Sequence, residues 1–180
     1  SMNSKPGPLE GSWLLTPKLH VDSRGQFIES FQKDVFAKQT GLSIDFIQDN
    51  EVVSKYGVVR GLHLQKAPYA QAKLIRVVQG QIYDVAVDLR ADSSAYGEWF
   101  GIELSADNQT QLFLPKGFAH GYSVLSEHAI VQYKVDASYN PQAESGIRFD
   151  DPDMGIDWQI NNLKLSDKDQ KLPFLKLFKP

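Results

Sequence analysis

The sequence predicts an all-β jelly roll, on three observations. The middle of the chain alternates β-rich runs with turn residues: Val52-Val53, Ala72 to Val78, Gln81 to Leu89, Trp99 to Leu104, Gln111 to Leu114, Ala119 to Leu125 and Ala129 to Val135. Gly57, Gly80, Gly97, Asn108 and Gly117 punctuate these runs at roughly the 8–12-residue spacing of a sandwich or barrel. Within the 82–89 run, strict alternation puts Tyr83, Val85, Val87 and Leu89 on one apolar face. The other face holds Ile82, Asp84, Ala86 and Asp88, with two carboxylates.

Ahead of these strands, Gln32 to Thr40 reads as a short helix, with Val35 and Phe36 on a buried stripe and Gly41 as its stop. Behind them, residues 161–180 carry five leucines and two phenylalanines, too apolar for a free linker, and are expected to dock on the barrel. The chain shows no internal repeat, low-complexity tract or Gly/Ser/Pro linker, so a single domain over 1–180 is expected. A length of 180 residues suits one ordinary domain with a substantial core. Ser1 before Met2 reads as an expression scar and is set aside.

Composition narrows the function classes. The chain has no cysteine, hence neither disulfides nor thiolate metal sites. Residues 1–30 hold no apolar run of signal-peptide length, and no stretch of about twenty apolar residues could span a bilayer. A soluble, cytoplasmic protein with no membrane partner is expected. A net charge of -3 argues against nucleic acid as a partner, while leaving room for a few cations around one anionic ligand.

Four segments combine polar groups with tight glycine turns: 22–25, 48–50, 60–63 and 115–121. Arg24 and Arg60 each sit beside a glycine, which suits a diphosphate because backbone can approach the oxygens that guanidinium grips; a surface salt bridge is the competing reading. His63, just past a glycine turn at the end of an expected strand, suits a general base or a hydrogen-bonded core histidine. His120, between Phe118 and Gly121, would alone be structural. Lys73 interrupts an apolar run, where a core-facing lysine must meet an anion or a developing oxyanion. The alternative, an outward-facing Lys73, leans on Arg76 three positions away. Tyr133 suits a phenolic proton donor or a packed strand tyrosine. A metal centre fails on ligand count: His63 has no second histidine two residues on, and His20 and His128 have no neighbouring ligand set. No metal and no cofactor are expected.

Taken in order, these segments resemble the dTDP-4-dehydrorhamnose 3,5-epimerase family. The resemblance runs through Asp22 to Glu29, Gln48 to Asn50, Arg60 to His63, Gln71 to Lys73, Asp84 to Arg90, Pro115 to Gly121, Tyr133-Lys134 and Leu165 to Asp169, spanning about residues 12–170. It implies a cupin-like double-stranded jelly-roll barrel with a few short helices, and metal-independent chemistry. It also implies a homodimer in which an N-terminal arm (about 1–30) reaches the partner's site, with the 161–180 tail docked on the barrel. The reaction implied is conversion of dTDP-4-dehydro-6-deoxy-D-glucose to dTDP-4-dehydro-L-rhamnose by inversion at C3 and C5 through enolates, in dTDP-L-rhamnose biosynthesis. By the same resemblance His63 is the base, Asp169 orients it, Lys73 faces the C4 oxygen and Tyr133 is the acid. Arg24, Glu29, Gln48, Asn50, Arg60, His120, Glu144 and Lys168 correspond to substrate and nucleotide contacts, Tyr139 to a stacking platform for thymine, and Tyr69 and Tyr122 to positions that tune the sugar accepted.

Competing functions separate on chemistry. A single-carbon epimerase or a 3,4-ketoisomerase on a related dTDP-4-keto-6-deoxy sugar uses the same enolate, with one inversion lost or the carbonyl moved. A non-catalytic sugar-nucleotide binding module needs neither base nor acid. A metal-dependent cupin would carry bound iron, zinc or manganese after purification.

Overall fold

Two antiparallel sheets face each other, and the period-2 alternation of their strands decides which side chains meet between them. The computed structural model describes residues 2–180, and Ser1 lies outside the described residues. The chain enters through β1 (Met2–Pro6), β2 (Trp13–Pro17), β3 (Leu19–Asp22) and β4 (Gly25–Ile28). Helix α1 (Lys33–Thr40) leads into β5 (Gln48–Lys55), β6 (Val59–Gln65), β7 (Lys73–Gln79) and β8 (Gln81–Asp88). There follow β9 (Trp99–Ser105), β10 (Gln111–Leu114), β11 (Phe118–Val124), β12 (His128–Val135) and β13 (Glu144–Gly146). The larger sheet has the order β1-β2-β10-β7-β12-β5 and the smaller β13-β6-β11-β8-β9. This is the jelly roll the turn spacing predicts.

Between the sheets, Ile75 and Val77 of β7, Val131 of β12, Ile82 and Ala86 of β8 and Val124 of β11 fill the interior with apolar volume. The carboxylate-bearing face of β8 therefore points inward, and both Asp84 and Asp88 are buried. Its apolar face, Val85, Val87 and Leu89, packs outward under the C-terminal segment, whose Met154, Trp158, Ile160, Leu163 and Phe178 cover it. Trp158 also donates its indole N–H to the Phe149 carbonyl at 3.0 Å, so its burial leaves no orphan donor. On the opposite flank, Phe36 of α1 packs with Leu15, Leu74 and Phe113 against the outer face of the larger sheet. Gln32 caps α1 by accepting from the Val35 N–H, and Gly41 ends it at φ 74°. The helix thus starts one residue later than expected.

The expected strands are present to within a residue or two, and Val52-Val53 lies inside the eight-residue β5. Four N-terminal strands and β13 were unforeseen, being too short or too polar to show an apolar period. Residues 2–17 are woven into the larger sheet, whereas β3 and β4 form a separate two-stranded hairpin that is almost wholly exposed.

Candidate active site

At one end of the barrel the inward positions turn polar, and they surround a cavity of about 320 Å³. His63 and Gln65 reach it from β6, His120 and Tyr122 from β11, Lys73 from β7 and Tyr133 from β12. His63 lies within β6 rather than at its end, paired in register with His120 across the smaller sheet. That pairing requires a close backbone crossing next door. Gly61 sits at φ 114°, and a Cβ there would come within 2.7 Å of both Gly121 Cα and the His120 carbonyl oxygen. Only two facing glycines fit, which explains the Arg60-Gly61 and His120-Gly121 steps.

His63 Nε2 lies 2.6 Å from Asp169 Oδ1, on the 3-10 turn Asp169–Lys171. The second carboxylate oxygen accepts the Gly61 N–H at 3.1 Å. Burial alone would raise the Asp169 pKa, but the His63 hydrogen bond and charge, the Gly61 N–H and Lys168 together hold it below the usual carboxylate value. An ionised Asp169 can only accept, so Nε2 carries the proton and Nδ1 is left with its lone pair.

The larger sheet supplies the opposing wall. Lys73 is buried and forms no salt bridge among the described residues; burial lowers its ammonium to about 8, partly offset by Asp84 and Glu144. It faces inward, and the outward alternative is overturned: three positions is an odd step in a strand, so it is Arg76 that takes the outer face, beside Gln132. Lys73 Nζ lies 5.9 Å from the Tyr133 ring centroid. Burial, reinforced by Glu144, raises the Tyr133 phenol against the opposing influences of Asn50 and Arg60, so it is protonated at neutral pH. Beneath them His120 Nε2 meets Asp84 Oδ1 at 2.5 Å, with both side chains buried.

Around the rim, Arg60 donates to Ser54 Oγ at 3.0 Å, and Glu144 holds Lys168 by an ion pair and accepts from Tyr139 Oη at 2.9 Å. Gln48 accepts the Tyr139 N–H at 3.4 Å and donates to Asn50 Oδ1 at 2.9 Å, which places both beside the cavity without lining it. The fold thus gathers His63, Lys73, Tyr133, Asp169, Arg60, His120, Tyr139, Glu144 and Lys168 around one space. Arg24 and Glu29 are not among the lining residues. Arg24 sits at the hairpin tip, largely exposed, and is paired with Asp22 at 2.6 Å. Tyr69 is exposed and does not line the cavity either. Gln65, Gln71, Val52 and Ser166 line it unpredicted. Gln65 was findable, because it shares the inward face of β6 with His63 two residues earlier; Ser166 carried no signal of its own.

Among the described residues, no three His, Asp or Glu side chains converge as a metal-binding group. The model of the dTDP-4-dehydrorhamnose 3,5-epimerase family matches residues 6–176. The chain belongs to that family. A dTDP-4-dehydrorhamnose 3,5-epimerase of Methanothermobacter thermautotrophicus is 47% identical over 165 residues, 90% of this chain and 88% of the relative. The crystal structure of a Bacillus anthracis dTDP-4-dehydrorhamnose 3,5-epimerase with TDP and PPi bound superposes with a TM-score of 0.93 at 47% identity, covering 97% of this chain and 99% of that one. A Legionella pneumophila dTDP-6-deoxy-D-glucose-3,5-epimerase, solved in complex with dTDP-4-keto-L-rhamnose, superposes with a TM-score of 0.95 at 40% identity, covering 99% and 95%. The epimerase fold is cupin-like and extends over nearly the whole chain.

Proposed function

We propose that the cavity inverts C3 and C5 of dTDP-4-dehydro-6-deoxy-D-glucose, giving dTDP-4-dehydro-L-rhamnose for dTDP-L-rhamnose synthesis. One observation carries this reading: the His63–Asp169 pair and Tyr133 enter the same cavity from opposite sheets, with buried Lys73 beside Tyr133. A C–H next to a ketone becomes acidic only when the enolate is stabilised. His63 Nδ1 removes the proton, and the resulting imidazolium is held by ionised Asp169. Lys73 stabilises the negative charge that gathers on the C4 oxygen. Because its ammonium is only weakly solvated in the wall, this costs little reorganisation as charge develops. Tyr133 then delivers a proton to the other face of the planar enolate carbon, so the carbon leaves inverted. Once His63 has released its proton to solvent and the Tyr133 phenolate has taken one up, rotation of the sugar by one position brings the second carbon, flanking the same ketone, to the same pair.

Remote binding holds the sugar in place. Arg60, Lys168 and His120 contact the nucleotide and sugar, Tyr139 offers an aromatic face to thymine, and Gln48, Asn50 and Glu144 fix that rim. Arg24 and Glu29 contribute from a second copy. The supporting feature is the β3–β4 hairpin, a two-stranded sheet with exposed Val21 and Phe27, which is marginal alone and gains a surface to cover in a homodimer with exchanged arms. Mixing Arg24→Ala with His63→Ala chains should then restore turnover, since one site of each mixed dimer regains both residues; inert mixtures would remove arm exchange. The protein is read as a single cytoplasmic domain with arm and docked tail.

Incubation with the dTDP-4-keto-6-deoxy-glucose substrate in deuterated water, followed by NMR and mass spectrometry of the sugar, tests the reaction. Deuterium at both C3 and C5 of an L-configured product is expected. Label at one carbon would make this a single-carbon epimerase, and absence of label would exclude the enolate route.

A further inference from the structure

The base pair is assembled from two distant parts of the chain, β6 and the 3-10 turn near the C-terminus, and the Asp169 carboxylate joins them directly through His63 and the Gly61 N–H. Arg148 lies between them, holding the turn directly and adjoining β6 through the residues just before it. It follows β13, one residue after Ile147, whose N–H donates to the Leu62 carbonyl at 3.0 Å and whose carbonyl accepts the Leu62 N–H at 3.2 Å. Leu62 is the residue before His63, and Gly146 pairs in register with His63 itself. On its other side Arg148 reaches the turn that carries Asp169. Its backbone N–H donates to the Pro173 carbonyl at 2.9 Å, and its guanidinium Nη1 donates to the Gln170 carbonyl at 2.6 Å.

The guanidinium is itself held. Nε donates to Asp150 Oδ1 at 2.5 Å, and Cζ lies 5.7 and 5.8 Å from the ring centroids of Phe149 and Phe174. An arginine fixed by a carboxylate and two rings is a rigid clamp, and the carbonyls at the end of a helical turn are the acceptors such a cation satisfies. Arg148 does not line the cavity and has no contact with the space where substrate reacts.

We propose that Arg148 is a positioning residue for the His63–Asp169 pair, locking the Asp169 turn onto the strand that bears the base. The inference rests on the epimerase reading of the cavity. Groups that orient a functional histidine's partner typically change rate by about 10–100-fold when removed, with little effect on binding elsewhere.

The test is a double-mutant cycle on the full chain with the dTDP-4-keto-6-deoxy-glucose substrate. Arg148→Ala should lower kcat by about tenfold with KM changed less than about twofold, and Arg148→Lys, which can still reach a carbonyl, should recover part of the loss. In an Asp169→Asn background, Arg148→Ala should cost nothing further. The downfield proton signal of the His63 Nε2–H should shift or broaden in Arg148→Ala, a readout that general loosening far from the pair would leave alone. Equal kcat in Arg148→Ala and wild type, or the same tenfold loss with and without Asp169, would overturn the proposal. Arg148→Lys supplies the comparison if the alanine variant does not fold. A wild-type protein without turnover would defeat the epimerase reading instead, so the two failures are distinguishable.

Discussion

Two histidine–aspartate pairs have their histidines side by side on the smaller sheet, built from the same residue types at nearly the same distance, and the pKa values of their carboxylates move in opposite directions. Asp169 meets His63 at 2.6 Å, and Asp84 meets His120 at 2.5 Å. Asp169 receives a second donor from the Gly61 backbone, feels Lys168, and is held below the usual carboxylate value even though burial pulls it upward. Asp84 is fully buried, and its other oxygen has no hydrogen-bond partner among the described residues. Burial outweighs His120 and Lys73 there and raises its pKa. What differs is the number of donors the carboxylate receives and its access to solvent. The partly open pair holds a stable anion behind an accessible imidazole, which is what a base requires. The sealed pair is better suited to holding a ring and a buried proton in place.

The largest effect separating the pairs should come from His63→Ala. We expect kcat to fall by about 10⁴-fold while the Kd for dTDP stays within about twofold, measured by steady-state kinetics and calorimetry. Loss of nucleotide binding would count against the base role. Asp169→Asn should follow, with kcat lower by roughly 10³-fold, because an amide can present either a donor or an acceptor to Nε2 and no longer enforces the tautomer with Nδ1 free. Activity near wild type in that variant would show that the pair does not set the base. Tyr133→Phe should lose inversion by about 10²-fold while retaining exchange of a substrate proton with solvent. Parallel loss of both would remove the acid role.

The smallest expected effect is on stability, and its sign differs between the two carboxylates. Asp169, depressed in the fold, contributes stability that is present above the unfolded carboxylate pKa and is lost as pH falls through its folded value. Asp169→Asn should therefore destabilise the protein at pH 7 by roughly 1–3 kcal/mol, with the difference shrinking on acidification. Asp84, raised in the fold, contributes stability present below the unfolded pKa and lost as pH rises through its folded value. Relative to wild type, Asp84→Asn should gain stability as pH rises. Urea unfolding from pH 4 to pH 8 checks both, and parallel slopes for the two variants would erase the distinction.

The central strands were legible in the sequence because their apolar alternation survives on both sides of the barrel. Residues 48–55 were only half visible, since the inner face of β5 carries the polar Gln48, Asn50 and Ser54 beside Val52 and its outer face also carries charge. Of the site, the glycine steps at Arg60 and His120 lie at the cavity for a reason the geometry supplies, the close crossing of Gly61 and Gly121. Lys73 could not be oriented from the sequence without knowing which face of its strand is inside. Asp84 was visible only as a carboxylate on one face of a strand, and its pairing with His120 depends on the register of two non-consecutive strands. Arg148 had no signal, because the carbonyls it binds on and beside the Asp169 turn lie more than twenty residues away in the chain.

Deuterium wash-in from solvent, followed at C3 and C5 of the substrate with His63→Ala and His120→Ala side by side, bears most directly on the assignment of the base. We expect no exchange at either carbon with His63→Ala, and slower but measurable exchange with His120→Ala. Exchange that persists without His63 and disappears without His120 would place the base on the sealed pair instead.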